Sequence, residues 1–254
     1  MTWRVGLVFA ASFVAGILNA VAGGGTLLSF PALVWLGVPP IVANATNTVA
    51  LWPGGFASVV GFRRDIANSR RWIPLLVGPS LLGGAVGAFL LLRTPEDVFK
   101  AIAPFLVLAA TLLLALQEPL ARRFQWTVPR TRSHVWILAA VICQFLVAIY
   151  GGFFGAGIGI LLLGALALLG LEDIHEMNGL KNLFTICING MAAIYFAVSG
   201  AVVWFDVAIM ATAAIAGGYG GARLAYRMGR LFIRRFVVVV GLLATVSLVL
   251  RLFV

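Results

Sequence analysis

Lys181 stands inside an apolar stretch, in Asn178-Gly179-Leu180-Lys181-Asn182. An ammonium at the centre of a bilayer costs about 2.5–3.5 kcal/mol on insertion scales, so it generally has a partner or a task. The task would be to bind an anion. The plainer alternative is a stem that snorkels to the headgroups, or that pairs with nearby Asp173 or Glu176. Amide and hydroxyl side chains gather on the same stretch (Asn178, Asn182, Thr185, Asn189) and on an earlier one (Asn44, Thr46, Asn47, Thr48). Such groups can hydrogen-bond a multi-oxygen anion without adding charge, or coordinate sodium together with backbone carbonyls. They can also simply join helices, at roughly 0.6 kcal/mol each. Asn19 is a weaker candidate of the same kind.

Two glycine clusters offer a different device. Gly23-Gly24-Gly25 is followed by Thr26, and Gly151-Gly152 is followed by Gly155, Gly157 and Gly159. A helix that starts inside a membrane leaves its first N–H groups unpaired, and these can bind an anion. Glycine lets a ligand approach the backbone, and Thr26 adds a hydroxyl. Close helix packing is the alternative for either cluster alone.

Catalytic sets are missing from the sequence. There is no HExxH, no GxSxG and no pair of carboxylates within an apolar run, and Gly157-Ile158-Gly159 has no strand–turn–helix around it to make a dinucleotide site. Cys143 and Cys187 lie in apolar runs with no metal-ligand spacing. No cofactor or metal is expected, and a membrane-embedded enzyme is the weakest reading. Only Asp206 among the acids sits close to a span, so the coupling ion, a proton or sodium, stays open. The sequence leaves a homo-oligomer open too.

The elements that must carry these residues are apolar throughout. Hydrophobic residues make up 62% of the 254 and charged ones 10%, too little polar surface for a domain facing water. The expectation is an all-α polytopic membrane protein, one domain over 1–254. Ten apolar segments can be drawn near 3–22, 24–36, 41–62, 72–92, 98–117, 134–154, 156–170, 178–198, 203–225 and 232–253. The second and seventh are too short to cross comfortably. Arg4 and Ala20-Val21-Ala22 imitate a signal peptide, a reading rejected because the region that follows has a counterpart later in the chain.

That counterpart defines a repeat. Gly37 falls on Gly170 at a shift of 133, Thr46-Asn47 on Lys181-Asn182 at 135, and Gly83-Gly84 and Gly87 on Gly217-Gly218 and Gly221 at 134. Residues 1–120 and 133–254 are therefore expected to be two repeats of about five segments, joined by a basic linker at 121–132. Of the 18 basic residues, 13 lie in three clusters: 63–71, 122–132 and 223–235. Equivalent connections carry opposite charge character, so the charge rule makes the repeats inverted and both termini external. The net charge of +10 then faces anionic lipid rather than nucleic acid.

Ala22-Gly23-Gly24-Gly25-Thr26, Phe30-Pro31-Ala32-Leu33, Leu36-Gly37-Val38-Pro39 and Ala43-Asn44-Ala45-Thr46-Asn47 together resemble the TauE/SafE sulfite exporter family. The runs Gly151–Gly157 and Gly217–Leu224 look like that family's second copy. The resemblance implies a multi-pass permease of the bacterial inner membrane that exports sulfite or small organosulfonates such as sulfoacetate. Asn47 stands where family members commonly carry Ser, a departure that bears on substrate choice. The combined expectation is a secondary transporter of a small anion working by alternating access. Its site would be built from Gly23, Gly24, Gly25, Thr26, Asn44, Thr46, Asn47, Gly155, Gly157, Asn178, Lys181 and Asn182. An anion channel is the alternative.

Overall fold

A computed structural model describes residues 2–21, 24–123, 134–171, 173–228 and 230–252. Gly23 and the linker arginines Arg130 and Arg132 lie outside the described residues, as do the surroundings of Gly221 and the side chains of Arg122, Arg123, Arg223, Arg227 and Arg230. The described chain is helical, with α1 (Thr2–Val21), α2 (Thr26–Trp35), α3 (Pro40–Gly61), α4 (Arg63–Asn68), α5 (Ile73–Arg93) and α6 (Glu96–Arg123) in the first half. The second half holds α7 (His134–Phe153), α8 (Ile158–Leu168), α9 (Ile174–Val198), α10 (Trp204–Met228) and α11 (Arg230–Leu250). Helices over 70–93, 96–117, 135–153 and 174–198 are long and apolar enough to cross a membrane, and shorter apolar ones stand beside them. α3 has the length of a crossing at 22 residues, and a row of amides and hydroxyls runs along its first half.

α2 and α8 are the short segments the sequence marks, at 10 and 11 residues, or roughly 15 Å of helix each. They end in the same way. Gly37 (φ 85°) and Gly170 (φ 73°) take the left-handed conformation just past the two helices, which only glycine adopts without penalty. Val38 N–H then returns to Leu33 O at 3.1 Å, and Leu171 N–H to Leu166 O at 3.5 Å, the six-to-one bond of a Schellman cap. Pro39 follows the first cap and Asp173 the second, turning the chain into α3 and α9.

Asp173 Oδ1 accepts from His175 N–H at 2.7 Å and Glu176 N–H at 3.2 Å, capping α9. The Glu176 bond, then the His175 bond, hold its carboxyl below the usual carboxylate range. A lowered carboxylate stabilises the folded state above its unfolded pKa, and that contribution disappears as pH falls through the folded value. Amides at the start of α9 should therefore exchange hydrogen faster on acidification, once intrinsic rates are divided out. Asp173→Ala should exchange fast already at neutral pH, and an unchanged acid response in that variant would remove the cap from the account.

The helices pack mostly across the halves. α1 runs parallel to α10, with Arg4 on Asp206 and Phe13 and Gly16 on Gly217 and Ala214. α5 runs parallel to α7, joined by Gln144 Nε2 donating to Ser80 Oγ at 2.8 Å and by Gly83 and Gly87 against Ala148 and Ile149. α3 lies antiparallel to α9, and α6 antiparallel to α11. Two apolar cores result: a larger one around Phe30, Phe99, Phe154 and Phe196, and a second around Leu162, Leu180 and Phe184. The basic stretch after α3, expected as a plain loop, forms α4. Ile66 and Asp65 of α4 pack on Gly179, and Ser69 donates to Glu176 at 2.5 Å.

Candidate functional site at two helix breaks

The first break lies between α1 and α2. Asn19, near the end of α1, accepts from Gly25 N–H at 2.9 Å, and a Cβ on Gly25 would run into the Ala15 carbonyl. Residue 25 can lie this close to α1 only because it has no side chain. Gly24 faces Val237 and Leu114, 2.7 and 3.3 Å from where its Cβ would lie. Ser29 Oγ lies 2.5 Å from Asn47 Oδ1 and 3.0 Å from Gly25 O, and Asn47 Nδ2 donates to Thr26 Oγ1 at 3.4 Å. Asn47, Ser29, Asn44 and Thr46 are each 1% exposed or less. The start of α2 is thus wrapped in neutral polar groups within an apolar body.

The second break lies between α7 and α8, where Gly155 (φ 76°) and Gly157 (φ 73°) both take left-handed backbone. Phe154 and Gly155 N–H share the Tyr150 carbonyl, and the Tyr150 hydroxyl donates to Ala156 O at 2.7 Å. Asn44 reaches this break from the other half of the chain, its Nδ2 donating to Phe153 O at 2.9 Å. Its Oδ1 is buried and accepts no hydrogen bond among the described residues. Asn189 of α9 closes the other side, its Oδ1 3.7 Å from where a Gly155 Cβ would lie.

Lys181, in the second turn of α9, lies beside the start of α8. Its stem passes Gly159, Cδ being 3.3 Å from where a Cβ on that glycine would be, so residue 159 must be small for the lysine to lie there. The ammonium donates to Asn178 Oδ1 at 3.0 Å, while Asn178 Nδ2 donates to Ile174 O. Asn182 is half-buried beside it.

The expected residues therefore fall into three groups. Thr26 and Asn47 meet at the first break and Asn44, Gly155 and Gly157 at the second, while Lys181 and Asn178 stand apart from both, against Gly159 of α8. Thr46 joins none of them: its Oγ1 accepts from Val203 N–H at 3.1 Å, tying α3 to the entrance of α10. Thr46-Asn47 and Lys181-Asn182 stand on opposite sides of the crossing where the Trp52 indole donates to Ile186 O at 3.1 Å. Counting six residues along α3 and five along α9 puts the Thr46 and Lys181 levels roughly 15 Å apart along the axis. Ser29 and Tyr150 are polar participants that spacing did not single out, and Asn19 and Asn189 hold stronger positions than sequence alone gave them. Among the described residues no cluster of His, Cys, Asp or Glu could hold a metal ion.

Residues 8–248 match the family described as Sulfite exporter TauE/SafE. A probable membrane transporter protein of Haemophilus influenzae is 29% identical over 96% of this chain and 93% of its own length. Probable membrane transporter protein ORF9 of a Sinorhizobium species is 30% identical over 95% and 90%. Probable membrane transporter protein YfcA of Escherichia coli K12 is 28% identical over 96% and 89%. No solved structure matches the chain. Long apolar helices, two glycine-built breaks and a match over almost the whole length agree, and this multi-pass membrane protein belongs to the TauE/SafE sulfite exporter family of transporters.

Proposed function

We propose that the protein exports a small oxyanion, sulfite or an organosulfonate such as sulfoacetate, by alternating access between two inverted repeats. The observation that carries this reading is the pair of helix breaks at repeat-related positions, each met by polar side chains of α3 or α9. Interrupted helices at matching positions of two halves are the usual place for a transport site. Inversion is supported by the packing: α3 lies antiparallel to its counterpart α9, and α6 to α11. A twofold axis in the membrane plane requires that arrangement, whereas one along the membrane normal would make such pairs parallel. The chosen anion would pass between the breaks, held by neutral donors and one lysine. Such a site is weak enough to release its solute, as turnover demands.

Flux from proteoliposomes tests the reading. Saturable, gradient-coupled movement of sulfite or sulfoacetate is expected. Lys181→Ala, shown to be folded by size-exclusion profile and melting temperature, should lower transport at sub-saturating solute at least tenfold. Equal flux in both proteins would move the site to the Asn47 break and leave Lys181 as a tether to Asn178. Flux that never saturates would make the protein a channel, and no flux of either solute would reject the proposed substrates.

A further inference from the structure

A cavity of about 570 Å³ opens where α2 and α11 end and α3 and α6 begin. Phe30, Val34, Val38, Ala103 and Leu248 give it an apolar wall, and Glu96, Lys100 and Arg251 are its charged residues. The acid is already occupied: Glu96 Oε1 accepts from Ile41 N–H at 3.1 Å, at the start of α3, where a helix dipole favours negative charge. Arg251 donates to Val34 O at 2.9 Å and Trp35 O at 3.3 Å, leaving further N–H groups of its five. Lys100 is exposed, and neither cation forms an ion pair among the described residues. Trp35, 39% exposed, stands beside Arg251, as an aromatic at the headgroup level would.

A compact, hydrated oxyanion has no use for this wall, which offers it no donors beyond the two cations. The volume lies within the range of about 300–1,000 Å³ typical of sites for drug-sized molecules. An elongated apolar body with one negative head satisfies both halves of the cavity. We propose that it binds an anionic phospholipid, one acyl chain along the apolar wall and the phosphate at Lys100 and Arg251. Because α2 carries Thr26 and Ser29 at its other end, a lipid seated here would brace the half-helix that forms the first break.

The test uses the full chain, stripped of lipid in detergent and examined by native mass spectrometry with added phosphatidylglycerol or phosphatidylcholine. Phosphatidylglycerol should bind at least fivefold more tightly. That preference should vanish in Lys100→Glu, an exposed substitution expected to leave the fold intact, and should fall in Arg251→Gln. Equal binding of the two lipids, or a preference unaltered in Lys100→Glu, would overturn the proposal. Displacement of phosphatidylglycerol by equimolar inorganic phosphate would overturn it too, by making this a site for free anions.

Discussion

Replacing Gly217 with valine is expected to lower the melting temperature in detergent by roughly 10 °C. A Cβ on Gly217 would enter the space of the Phe13 carbonyl oxygen, with the carbonyl carbon 2.8 Å and Cα 3.1 Å away. The obstacle is backbone, so no rotamer change on α1 relieves it, and the two helices must separate. Overpacking of a core costs about 1–3 kcal/mol and sometimes more. This contact belongs at the upper end, since parting α1 from α10 also loosens the Gly16–Ala214 approach on the same face. The neighbouring glycine is the control. A Cβ on Gly218 would meet only Gly16 O, at an ordinary 3.7 Å, so Gly218→Ala should be neutral or gain up to about 1 kcal/mol from helix propensity. Comparable melting temperatures for Gly217→Val and Gly218→Ala would mean the α1–α10 crossing has room for a side chain at residue 217.

Removing Arg4 should be the most damaging loss of a single charge. Its Nη2 lies 2.9 Å from Asp206 Oδ2, and the carboxylate side chain is 3% exposed against 42% for the arginine. Breaking a buried pair strands the surviving charge, at about 3–5 kcal/mol when both partners are buried. With Arg4 half in solvent, about 2–3 kcal/mol is the better expectation for Arg4→Ala. The double variant Arg4→Leu with Asp206→Leu should recover most of that loss, because it strands nothing. Denaturation in detergent of the two single variants and the double variant gives the coupling directly. A double variant no more stable than Arg4→Ala would show that Asp206 is solvated by something other than Arg4.

What the sequence made legible was local chemistry. Gly37 and Gly170 could be aligned because both must adopt positive φ past a short helix, and turn requirements are written in residue type. Gly155 and Gly157 announced the second break for the same reason. Asn44 shows where this legibility stops. Its membership of the polar row on α3 is visible from spacing, but its bond to Phe153, 109 residues away, depends on how the halves dock. Thr46 is similar: it pairs by alignment with Lys181, yet caps the approach to α10 at a separation of 157. Hydroxyls such as Ser29 and Tyr150 give no periodic signal at all, since serine and tyrosine suit many apolar helices. The α4 turn was hidden by its arginines, which mark a side of the membrane but not a conformation.

The parallel contact between α1 and α10 also has a meaning for biosynthesis. The helix made first is buried by one whose first residue follows about 180 positions later, which at 5–20 residues per second is roughly 10–40 s of translation. Throughout that interval α1 sits in lipid with the carbonyls of Phe13 and Gly16 facing no partner helix and with Arg4 lacking its carboxylate. The nascent chain must be held, by the insertion machinery or by its own α2 and α3, until the second half arrives to complete the first.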